Sequence, residues 1–132
     1  MKKMHLIILT MSLLVLAFTN DTIAQNFCKT DPGFHKILVD NDVLTATEVT
    51  FEPGKKTNVH THSAALVYAL TGGTLLVKFE DGKTETIELK AGDSAYQEPE
   101  RPHMTENIGK TTMKVLLIEL KDKPYMAEKK MK

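Results

Sequence analysis

The sequence predicts an all-β fold in a single domain, and three observations carry that prediction. From His35 to Leu120, short runs of β-branched and apolar residues are separated by turn chemistry at close, regular spacing, the pattern of an antiparallel sandwich or barrel. Within the best of these runs the residues alternate: Thr45, Thr47, Val49 and Phe51 fall on one face, and Leu44, Ala46, Glu48 and Thr50 on the other. No helical period is sustained, and neither an internal repeat nor a low-complexity tract is present.

Taken in order, Lys36 to Asp40 and Val43 to Phe51 are the first two strands, and Pro53-Gly54 ends the second. The polar residues KKTN lead into His60-Thr61-His62, and the apolar run AALVYAL suits a strand covered on both faces. Thr71-Gly72-Gly73 turns the chain. Thr74 to Glu80 and Lys83 to Lys90 flank Asp81-Gly82, a strong hairpin signal. After the turn Ala91-Gly92-Asp93 comes a short strand, Ser94 to Glu98, and then the turn-rich run EPERP. His103 to Ile108 and Thr112 to Leu120 are the last strands.

The ends are read separately. Lys2 and Lys3, the apolar run from Leu6 to Phe18 and the small residues up to Ala24 have the grammar of a secretory signal peptide, residues 1–24, too short and wrongly flanked for a membrane span. Export to the periplasm or the medium is expected. Residues 25–34 form an N-terminal segment, 35–120 the domain, and 121–132 a charged tail expected to be a short helix or disordered. Removing Lys2, Lys3 and Asp21 from 17 basic and 17 acidic residues leaves 15 against 16. A balance so close to zero argues against nucleic-acid partners and, once the leader is cleaved, against an anionic membrane. Cys28 is alone, so no internal disulfide forms; it reads as a tolerated cysteine in a frayed terminus, or as one half of an intermolecular bridge.

Chemistry concentrates in the histidines. Residues two apart on a strand share a face, so His60 and His62 can converge on one ion, and His103 stands at the start of a later strand. Three imidazoles on strands suit one divalent transition metal, iron, zinc, copper, manganese or nickel, and leave coordination positions open.

The segment GKKTNVHTHSAALVYALTGG, Gly54 to Gly73, resembles the first motif of the cupin superfamily: Gly54, His60, His62 and Gly73 fall at its spacing. GDSAYQEPERPHMTEN, Gly92 to Asn107, resembles the second, with Gly92, Asp93, Pro99, His103 and Asn107 in place. The resemblance implies a cupin β-barrel, a double-stranded β-helix or jelly roll, with His60, His62 and His103 as metal ligands and a homodimer as the common assembly.

Two positions depart from the pattern. The glutamate of the first motif falls at Leu66, with Val67 beside it, and the usual turn glycine of the second is Glu100. A neutral three-histidine set resembles, in its ligands alone, the thiol and diketone dioxygenases of the superfamily. An exported dioxygenase-like enzyme acting on a small organic molecule is therefore expected. A non-catalytic module that binds metal or a small ligand, or a metal-assisted isomerase or lyase, is the alternative.

Around the ligands, Tyr68 and Tyr96 are candidates to donate a hydrogen bond to a bound molecule, or are core. Glu98 is a candidate to reach the vacant ligand place, or faces water at the rim. Arg101 is an anion anchor or a solvated turn residue. Glu106, three residues past His103, is expected on the opposite face.

Overall fold

The computed structural model describes residues 27–127; the leader expected at 1–24 lies outside the described residues. A four-residue helix, α1 (Phe27–Thr30), precedes nine strands. These are β1 (His35–Asp40), β2 (Leu44–Phe51), β3 (His60–His62), β4 (Ala65–Ala69), β5 (Gly73–Phe79), β6 (Thr84–Leu89), β7 (Ser94–Gln97), β8 (Glu100–Asn107) and β9 (Met113–Leu120). Every pairing is antiparallel, in one sheet of order β1-β2-β9-β4-β7 and a second of order β3-β8-β5-β6. The all-β barrel read from the sequence is the fold observed.

The core lies between the sheets. Val49 and Phe51 of β2, Ala65 of β4, Leu75 of β5, and Met113, Val115 and Leu117 of β9 form one buried cluster, as the period-two pattern requires. The Asp81-Gly82 turn closes β5 onto β6 with Gly82 at φ 84°, a conformation that side chains with a Cβ rarely adopt.

Three features differ from the sequence reading. Phe27 is fully buried and belongs to the core cluster, so the N-terminal segment is part of the packed body rather than a frayed end. It is held there by Asp31, whose Oδ1 accepts from the backbone N of Asn58 at 2.9 Å and from its Nδ2 at 3.1 Å. The EPERP run is not a plain turn: β8 begins at Glu100 and passes through Pro102. The described part of the tail, 121–127, is a turn followed by chain without regular secondary structure, and its Lys123 carbonyl accepts from the backbone N of Ala64.

The Pro102 passage has a physical reason. Proline cannot donate to a ladder, so it is tolerated where pairing is interrupted. Here His60 pairs with His103 and His62 with Glu100, leaving one extra residue on β8 between the two pairs.

Candidate metal centre

β3 consists of the three residues His60, Thr61 and His62, all buried. His60 and His62 share its inner face, and the β3–β8 register sets His103 directly across from His60. The three imidazoles are 2%, 8% and 2% exposed, and their ligating nitrogens all lie within 4.8 Å of one another.

What the second nitrogen of each ring does determines the chemistry. His60 Nδ1 lies 2.8 Å from the Asn58 carbonyl oxygen, and His103 Nδ1 lies 2.8 Å from that of Arg101. A carbonyl only accepts, so each Nδ1 carries the proton and each Nε2 is a bare lone pair. His62 Nδ1 is 3.1 Å from Glu119 Oε1, and donation to that buried carboxylate bares its Nε2 in the same way. The result is two lone pairs facing each other, His60 Nε2 and His62 Nε2, at 3.1 Å.

Such an arrangement is stable only with a proton or a cation between the nitrogens. Nitrogens bound at about 2.1 Å to one ion stand about 3.0 to 3.4 Å apart at octahedral to tetrahedral angles, so the observed spacing fits a shared metal. Among the described residues the buried Glu119 Oε2 has no hydrogen-bond partner, which suits a carboxylate that balances a positive charge at the histidines. The donor set therefore fits a divalent transition ion.

Burial also tunes these groups. It pushes His60 down to about 3, with the neighbouring His62 charge adding to the effect and the bond to Asn58 opposing it. His103 is pushed down to about 4, again mainly by burial. Burial raises Glu100 above the ordinary carboxylate range. His60 and His103 are thus neutral well below physiological pH, which is the form that binds metal.

The histidines line one wall of a cavity of about 500 Å³ between the sheets. Its other walls are largely apolar: Val49, Val67, Leu75, Val77, Ile87 and Leu117 among them. Phe27 covers the histidines, its ring centroid 4.5 Å from that of His60 and 5.5 Å from that of His62.

Of the surrounding candidates, most fall elsewhere. Ala65, Val67 and Ala69 point inward along β4, so Leu66 and Tyr68 point outward, 45% and 41% exposed. The vacant glutamate position of the first motif is thus occupied on the cavity side by Val67, not Leu66. Tyr96 borders the cavity but is 54% exposed and pairs with Leu66 on the outer face. Glu98 stays exposed at the cavity mouth. Arg101 lies 4.0 Å over the Phe79 ring and pairs with Asp81, so its charge is already neutralised. Glu106 faces away, as alternation requires, and pairs with Lys78 at 3.0 Å.

Two carboxylates at the site escaped sequence reasoning. Glu119 follows Met113, Val115 and Leu117 on the inward face of β9, so alternation alone carried the signal. Glu100 reaches the cavity only because of the extra residue at Arg101-Pro102. Asn107 of the second motif is structural: its Nδ2 donates to the carbonyls of Phe51 and Thr111, both at 2.8 Å.

Two antiparallel sheets closed around a three-histidine cluster define a small β-barrel protein whose buried imidazoles fit a metal ion. The model of the cupin domain matches residues 47–119, and the chain belongs to that family. A cupin domain from Bordetella pertussis Tohama I superposes with a TM-score of 0.61 at 30% identity, covering 66% of this chain and 91% of that one. A cupin superfamily protein from Desulfitobacterium hafniense DCB-2 shares the fold, with a TM-score of 0.50 at 22% identity over 65% of this chain and 74% of that one. In sequence the chain is also similar to the uncharacterized protein MJ1618 of Methanocaldococcus jannaschii, 38% identical over 65 residues, 48% of this chain and 49% of that protein. The chain thus spans about half the length of this curated relative.

Proposed function

We propose that this cupin holds one divalent transition metal on His60, His62 and His103 and acts on a small organic molecule in a dioxygenase-like reaction. The observation that carries the reading is the set of three Nε2 atoms turned onto one point, each by a partner at Nδ1. The ion, when bound, supplies Lewis-acid or redox chemistry at the open positions. The chain's own residues fix the rings, exclude water with Phe27 and present apolar walls to the body of the substrate. Those walls favour a molecule with a polar, chelating end and a hydrocarbon or aromatic remainder.

The test is oxygen uptake by iron-loaded protein against a panel of thiols, diketones and phenols. Uptake that depends on one class and matches its consumption supports the dioxygenase reading. Saturable binding of a panel member without oxygen uptake assigns the protein instead to ligand capture. The leader, Lys2 to Ala24, favours capture as the second reading, because it sends the protein away from the cytoplasmic reductants that maintain iron(II).

Export and self-association complete the proposal: a periplasmic or secreted homodimer. Leu66 and Tyr68 of β4 stand beside Ile118 and Leu116 of β9 on the outer face of the five-stranded sheet, an apolar patch suited to a second copy. Leu66→Glu should convert a dimer to a monomer in light scattering while leaving metal affinity unchanged, since residue 66 does not face the cavity. A dimer that persists in the variant would exclude this face.

A further inference from the structure

The fourth ligand place of the first motif is empty of carboxylate, and of the three carboxylates that line the cavity, Glu85, Glu98 and Glu100, Glu100 lies against a histidine of the cluster. The geometry points to Glu100 as the acidic ligand of the three-histidine centre, supplied from β8 instead of β4. This inference rests on the metal-site reading proposed above.

The placement follows from the bulge. Three residues from His103, Glu100 would face outward on a regular strand, as Glu106 does on the other side. The extra residue between the His60–His103 and His62–Glu100 pairs reverses that, and sets Glu100 across from His62 on the inner face. Its Oε2 lies 3.6 Å from His103 Nε2.

That contact is not a hydrogen bond. His103 already spends its proton on the Arg101 carbonyl, so a lone pair and a carboxylate oxygen face each other. Two ligand atoms held at about 2.1 Å from a common ion stand about 3.0 to 3.6 Å apart for angles from 90° to 120°. Gln97 donates its side-chain amide to the same Oε2, fixing the carboxylate's direction. Glu100 is also largely covered, with its side chain 18% exposed. Meanwhile Val67, at the cavity-facing place of the absent glutamate, offers only methyl groups. One acidic group would therefore serve the centre in either arrangement, from β8 here instead of from β4.

The test uses cobalt(II) and zinc(II) titrations of the purified protein. Glu100→Gln preserves shape and the contact with Gln97; because it removes a ligand rather than a ligand's outer partner, it should weaken zinc binding more than about a hundredfold and alter the visible cobalt spectrum. Val67→Glu introduced into Glu100→Gln should restore both, because residue 67 faces the same cavity. Wild-type affinity together with an unchanged cobalt spectrum in Glu100→Gln would overturn the assignment. Failure of the underlying reading looks different: zinc binding that survives His103→Ala removes the histidine site itself, whatever Glu100 does.

Discussion

His103→Ala should purify folded and without metal. The variant loses one of three imidazoles whose Nε2 atoms are brought within 4.8 Å, and across the ladder from the remaining pair on β3 no imidazole is left, only Glu100. Losing only an outer partner of a metal ligand costs about tenfold to a hundredfold in affinity, so losing a ligand should cost more than about a hundredfold. Stability suffers less. The Arg101 carbonyl loses its donor, a cost of about 1–3 kcal/mol, which a folded domain of this size tolerates. Circular dichroism and zinc titration on one preparation check both statements. A folded His103→Ala that binds zinc as the wild type does would remove His103 from the site.

The metal-free protein is sensitive to acid. His60 and His103 titrate near 6.5 when unfolded and near 3 and 4 when folded. Between those values the unfolded chain binds more protons, so stability is complete above about pH 6.5 and falls as the pH drops. From pH 7.5 to 5 each imidazole removes about 2 kcal/mol, at 1.36 kcal/mol per pH unit over the interval in which only the unfolded form is charged. Glu100 acts in the opposite sense, since its raised folded value adds stability on acidification. Urea midpoints measured on apo protein should therefore fall steeply between pH 7.5 and 5. With one equivalent of zinc the fall should begin at lower pH, because the ion holds the rings deprotonated. A midpoint independent of pH over this range would contradict the burial of neutral imidazoles.

Much of this was legible in the sequence. Alternation from Thr45 to Phe51 and the Asp81-Gly82 turn predict strands that the structure contains. The HxH spacing and the second motif predict three histidines that the fold does bring together. Side-chain direction was less legible. The motif spacing puts the vacant position at Leu66 with Val67 beside it, and β4 turns Val67 inward, because the chain between β3 and β4 leaves the phase of the next strand undetermined from sequence. Tyr68 fell on the outer face by the same one-residue phase.

Glu100 was unreadable for a related reason. Its direction depends on an extra residue in a ladder, and only the prolines around Arg101 hinted at that interruption. Glu119 could have been found: it continues the inward series Met113, Val115, Leu117, and a carboxylate there needs a partner. Phe27 gave no periodic signal, since a four-residue helix is too short to show one.

The most direct measurement is the elemental content of the protein purified from an exporting host without added metal, by mass spectrometry against protein concentration. The three-histidine centre predicts close to one transition-metal ion per chain. Protein that emerges empty, and remains empty after dialysis against iron, zinc, copper, manganese and nickel in turn, would contradict it.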